Sequence, residues 1–199
     1  MFMVNNMDKI IFLDIDGVLN HEDYYRSNNK KFIAIDSDYR YQTFCPNSKA
    51  FLNQLIEKTN AKIVISSTWR ADGINRMQDV WENEKMSGEI IGITPHFCLA
   101  GYDKLQGSAP RGCEIERYLK DLGFYHINYS KDEQLKYMEK SNISNYIIID
   151  DDSDMLYGQK NHFINVLPSP RNKSGFNEYY YNIALDMLSK DIIQLNYED

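Results

Sequence analysis

Cysteine and proline are scarce in this 199-residue chain, at three and five residues, and no apolar run approaches the roughly 20 residues of a membrane-spanning helix. Cys45, Cys98 and Cys113 are odd in number and far apart, so neither a disulfide framework nor a zinc site with closely spaced ligands is expected. Each reads as a small buried or half-buried hydrophobe. The first eight residues, MFMVNNMD, lack both the basic region and the sustained apolar stretch of a secretory signal. A cytoplasmic location with no membrane partner is therefore expected. Positive charge is also short: 22 Lys and Arg against 29 Asp and Glu leave a net charge of -7. That balance opposes strong non-specific binding to nucleic acid, which relies on a basic surface to displace counterions. No repeat, low-complexity tract or linker divides the chain, and 1–199 reads as a single domain with its core over about 8–188.

What is present alternates. Short β-branched runs at 9–14, 62–66, 90–93 and 145–149, with a possible fifth at 162–167, predict strands. Between them, helical spacing of apolar residues marks Pro46 to Asn60, Ala71 to Lys85, Arg111 to Leu122 and Glu178 to Leu188. Alternating strands and helices predict an α/β fold with a parallel, Rossmann-like sheet flanked by helices. Residues 20–45 break the pattern with Tyr24, Tyr25, Phe32, Tyr39, Tyr41 and Phe44 among polar residues. They suit either a flap leaning over a site or a surface excursion packed on the body. Residues 124–144, rich in Lys and Glu, read as a solvated helical insertion.

The first strand ends Leu13-Asp14-Ile15-Asp16-Gly17, and the fourth ends Ile149-Asp150-Asp151-Asp152-Ser153-Asp154. In parallel α/β sheets ligands bind just past the carboxyl ends of the strands, so both acidic groups stand where chemistry is possible. A calcium loop is excluded: the glycine required at position six of Asp150-x-Asp152-x-Asp154 is Met155, and the glutamate required at position twelve is Asn161. A magnesium site shared between distant segments fits better, because magnesium takes one or two carboxylates and keeps waters. With part of the charge neutralised, Asp14 can attack phosphorus, and Asp16, two residues on, can serve as the acid and base. An incoming phosphate then needs donors and cations. Ser66, or second Ser67, offers a hydroxyl at the end of 62–66. Arg70 suits either a substrate phosphate or pairing with a surface acid. Arg111 opens the helix before the acidic strand, with Lys104 as the competing cation.

Asp14-Ile-Asp16-Gly-Val-Leu, Ile-Ser66-Ser-Thr-Trp-Arg70, Arg111 and Ile-Ile-Asp150-Asp151 resemble, in order, the four motifs of the haloacid dehalogenase-like (HAD) superfamily. Together with Ile-Gly-Ile-Thr-Pro95, Arg111-Gly-Cys-Glu-Ile and Asp-Asp-Asp152, they are similar to the HAD domains associated with Swiss army knife RNA repair proteins. The resemblance implies a Rossmann-like core, Mg2+ dependence and phosphatase or phosphotransferase activity. It makes Asp14 nucleophile and metal ligand, Asp16 acid/base and a ligand through its backbone carbonyl, and Ser66 the phosphate-binding hydroxyl. Arg111 takes the third-motif position, where the family more often carries lysine. Asp150 or Asp151 supplies the remaining ligand, and the run to Asp154 leaves that choice open.

Relatives acting on small metabolites often carry a large inserted cap. Here the intervals after the first and second motifs hold only the flap and residues 71–110. An open site follows, suited to a nucleotide, a nucleic-acid end or a phosphoprotein, and the tyrosines of the flap could stack a base. Two rivals stand beside the hydrolase: phosphoryl transfer to another alcohol, and a binding or regulatory module that keeps the fold without turnover.

Overall fold

The computed structural model describes residues 7–28, 32–97, 109–124, 130–167 and 174–197. Five strands form one parallel sheet: β1 (Asp8–Leu13), β4 (Lys62–Ile65), β5 (Ile90–Ile93), β6 (Ile143–Asp150) and β7 (Phe163–Asn165), in the order β5-β4-β1-β6-β7. In β1 and β4 successive side chains alternate between two apolar layers, the pattern of a sheet covered on both faces. From β1, Ile11 and Leu13 join one layer with Ile147 and Ile149; Ile10 and Phe12 join the other with Tyr146 and Ile148. The first layer is closed by α2 (Pro46–Thr59), α3 (Ile74–Asn83) and α6 (Glu178–Ser189), through residues such as Leu52, Val80 and Leu188. The second is closed by α4 (Arg111–Asp121), α5 (Lys131–Ser141) and α7 (Ile192–Tyr197), through Ile115, Met138 and Ile192. This is the α/β, Rossmann-like architecture expected.

Local chemistry sets several boundaries. Pro46 sits at the start of α2, where its missing N–H costs nothing, and Asn60 ends the helix in a left-handed conformation. In α5, Ser130 and Glu133 form a reciprocal capping box. The expected insertion at 124–144 is more embedded than its charges suggested: Gln134 and Met138 of α5 are buried, because this helix is part of the crossover that covers β6. The helix foreseen from Ala71 begins later, at Ile74, after a 3-10 turn over Thr68–Asp72. Gly73, at a positive φ of 87°, separates the two. The segment 20–45 contains α1 (Glu22–Asn28) and an antiparallel hairpin of β2 (Phe32–Ala34) with β3 (Arg40–Gln42). Its aromatics divide the work: Tyr41 and Phe44 are buried, whereas Phe32 is exposed. Among the described residues, no helix is long and apolar enough to cross a membrane.

Candidate active site

Parallel register brings the site together. Leu13 of β1 lies level with Ile65 of β4 and Ile149 of β6, so Asp14, Ser66 and Asp150 arrive side by side at the carboxyl edge. Two backbone bonds fasten the row: Ser66 N–H donates to the Leu13 carbonyl at 2.8 Å, and Asp14 N–H to that of Ile149 at 2.9 Å. The chain builds outward from β1 through β4 to β5, then crosses to β6 on the other side. The β1/β6 boundary is thus the topological switch point, where a parallel sheet opens a crevice.

Asp14, Asp150 and Asp151 each place a carboxylate oxygen within 4.8 Å of the other two. Asp14 and Asp150 are buried, and crowding like charges away from water favours their neutral forms. Burial lifts Asp14 to about 6, against the opposing pull of Arg111 and a hydrogen bond from Ser67. Burial, then the charge of Asp14, lifts Asp150 to about 8. Asp151 is also raised, chiefly by burial. Asp150 Oδ1 accepts the Asp152 N–H at 2.9 Å, while Oδ2 has no hydrogen-bond partner among the described residues. A buried carboxylate oxygen without a donor, beside the carboxylates of Asp14 and Asp151, fits a hard divalent cation that takes oxygen ligands. Gly17 is part of this arrangement. Its φ of 75° is left-handed, and a Cβ there would lie 1.9 Å from Asp151 Oδ2, so the turn after β1 passes against Asp151 only because residue 17 has no side chain.

The side chains of the remaining acids make other contacts. Asp16 is exposed, and its side chain stands outside the cluster, where Oδ2 accepts the Trp69 Nε1–H at 2.9 Å. Asp152 is exposed and accepts the N–H of Ser153. Asp154 Oδ2 accepts the backbone N–H of Arg111 at 2.7 Å. It caps the first turn of α4, which has no side-chain cap from its own N-terminal residue, Pro110.

That contact also explains how Arg111 is aimed. Gly112 N–H donates to the Asp154 carbonyl at 3.3 Å, and the Gly112 carbonyl accepts from Gln159 Nε2 at 2.9 Å. A Cβ on Gly112 would lie 2.4 Å from Leu156 N, so α4 seats directly on the loop after β6. From this seat Arg111 Nη1 donates to the Ser66 carbonyl, and Nε lies 3.8 Å from Asp150 Oδ2. Ser66 Oγ is buried with no hydrogen-bond partner among the described residues. The Ser67 side chain bonds Asp14.

Of the two places expected for Arg70, the structure shows the pairing with an acid, and that acid is buried rather than at the surface. Its guanidinium is buried, donating to Glu114 Oε2 at 2.5 Å and to the Ser67 carbonyl at 2.6 Å, with His96 Nδ1 at 3.1 Å. It braces the turn that carries Ser67 from behind. Arg70→Ala should therefore act as a folding lesion: leaving Glu114 buried and uncompensated is expected to cost about 3–5 kcal/mol, read as a lower denaturation midpoint. A variant as stable as wild type would return Arg70 to the candidates for ligand binding. Lys104, the competing cation, and Cys98 lie outside the described residues. Reading the sequence did not single out the contact of Trp69 with Asp16 or the capping by Asp154. Trp69 stood inside the Ser-Ser-Thr-Trp-Arg70 string, the one available signal; Asp154 was masked by the acidic run around it.

Sheet order, the row of strand-end residues and the basic start of α4 together define a haloacid dehalogenase-like (HAD) domain. The chain belongs to the family described as the HAD domain in Swiss Army Knife RNA repair proteins, whose model matches residues 10–178. No curated protein matches it. A solved structure from Vibrio cholerae, described as a 3-deoxy-D-manno-octulosonate 8-phosphate phosphatase, aligns over 98% of this chain and 88% of its own at 11% identity. Its TM-score of 0.32 is too low to add to the fold or the site.

Proposed function

We propose that the chain is a Mg2+-dependent phosphatase that hydrolyses phosphomonoesters through an aspartyl-phosphate on Asp14. The observation that carries this reading is the division of acids: Asp14, Asp150 and Asp151 converge, while Asp16 is held apart by Trp69. A nucleophile needs the first environment and a proton carrier the second. Mg2+ bound by the three carboxylates and the Asp16 backbone carbonyl would neutralise charge, so that an anionic nucleophile and a phosphate dianion can approach. Asp14 Oδ then forms a bond to phosphorus as the ester P–O bond breaks, and the departing oxygen takes a proton from Asp16. In the second half, Asp16 accepts a proton from water as that water attacks phosphorus, releasing inorganic phosphate and restoring Asp14. Arg111 faces the charge that develops on the phosphoryl oxygens, and the Ser66 hydroxyl supplies a buried donor.

The substrate class is broader. Among the described residues, α1, the β2–β3 hairpin, α2, α3 and β5 occupy the intervals after the first two motifs, with no inserted cap domain. This supports a phosphate carried by a nucleotide, a nucleic-acid end or another large molecule, and the matched family's description as RNA repair proteins supports the second. A cytoplasmic setting belongs to the same reading, since three scattered cysteines suit a reducing compartment. Phosphate release from simple phosphomonoesters, with Mg2+ and with a chelator, tests the assignment. Release in Mg2+ alone is expected. Equal rates in both would overturn the metal requirement, and none in either would leave a binding module.

A further inference from the structure

A cleft of about 280 Å3 opens beside Asp16, lined by Phe32, Tyr39, Arg40, Gln42 and Trp69, with Tyr41 and Asp72 completing it. Its place carries chemical information. The general acid must touch the oxygen that leaves, so whatever is esterified to the phosphate lies on the side of Asp16 away from Asp14. The cleft that Asp16 itself lines is on that route.

The lining is aromatic and held in place. Trp69 is fixed at its Nε1–H by Asp16 and packed by Tyr41 and Phe44, with ring centroids 6.2 and 6.1 Å away. Tyr39 has the Arg76 guanidinium 4.7 Å from its ring centroid, and its hydroxyl bonds Asp72. Phe32 differs. At the edge of the hairpin it is 59% exposed, an aromatic ring kept in water where burial would be favourable. Arg40, Gln42 and Asp72 place donors and acceptors around these rings. Rings with a polar rim suit a flat heterocycle that stacks and presents a hydrogen-bonding edge, and the size suits one such ring system rather than an extended ligand.

We infer that this cleft is the leaving-group subsite and that it takes a nucleobase, with Phe32 as the stacking platform and Arg40 and Gln42 reading the edge. The inference rests on the phosphatase reading for the identity of the leaving group, and on the cleft alone for the base. It names the hairpin β2–β3 as the specificity element of the site.

Two measurements on the full chain test it. The first compares kcat/KM for adenosine 5'- and 3'-monophosphate with those for ribose 5-phosphate and phosphotyrosine, in wild type, Phe32→Ala and Arg40→Ala. At least one nucleotide should be preferred by wild type, and Phe32→Ala should reduce that preference by about 5- to 150-fold, the range for losing one base–aromatic stack. The second follows tryptophan emission during titration with adenosine, which carries no phosphate. Trp69 lines the cleft whereas Trp81 is buried, so adenosine should change the emission of wild type and do so more weakly in Phe32→Ala. Equal kcat/KM with and without a base, together with no emission change, would overturn the subsite while leaving the phosphatase intact. Preference for phosphotyrosine over both nucleotides would overturn the nucleobase assignment. Absence of turnover on every ester, with an adenosine response that Phe32→Ala weakens, would support the subsite and reject the phosphatase.

Discussion

Asp14→Asn is expected to reduce turnover by at least about 10³-fold, the scale of losing a covalent nucleophile, without unfolding the protein. The substitution is nearly isosteric and removes a carboxylate whose charged form the fold disfavours: burial raises Asp14 to about 6. At neutral pH the metal-free variant should accordingly melt no lower than metal-free wild type. Catalysis and folding thus move in different directions, which separates loss of a nucleophile from loss of structure. Rapid quenching with a labelled ester should trap phosphate covalently on wild type and none on the variant. Turnover within tenfold of wild type would remove Asp14 from the mechanism.

Removing the divalent cation should have the second large effect, and its size should depend on pH. Asp14 and Asp150 are raised from the ordinary carboxylate range to about 6 and about 8, and Asp151 is raised with them. Between pH 4 and pH 8 the metal-free folded chain therefore holds more protons at these sites than the unfolded chain, and stability falls as pH rises. Below the unfolded values both states are protonated and the penalty disappears. Because a cation binds the ionised carboxylates and displaces their protons, its stabilisation grows along the same axis. In chelator, the melting temperature should drop from pH 5.5 to pH 8; in Mg2+ it should drop less, so the two curves diverge. Activity should be lost on chelation throughout. A gap between the curves that stays constant with pH would mean the cation does not bind the raised carboxylates.

The sheet and both acidic strand ends were legible because apolar β-branched runs ending in Asp14 and Asp150 carry their own register: once β1, β4 and β6 are parallel neighbours, Asp14, Ser66 and Asp150 must come level. What sequence could not supply was direction. Nothing in the string Asp150 to Asp154 distinguishes a carboxylate facing a crevice from one capping a helix; that depends on where α4 docks, and the docking depends on Gly112 lacking a side chain. Arg70 stood between two readings, a phosphate or an acid, for the same reason. Its partner Glu114 is 44 residues away and reaches it only after α4 has packed on the sheet. The short α7 escaped notice because Ile192 and Ile193 alone give no periodicity, although both are buried.

The loop that follows Asp150, the last residue of β6, carries the clustered carboxylate of Asp151 and also seats the first turn of α4, from which Arg111 points. Opposite charges in the crevice are therefore withdrawn by one event if that loop opens. A carboxylate and the guanidinium that faces its neighbours thus enter and leave the crevice together, while Asp14 and Asp150 stay with the sheet.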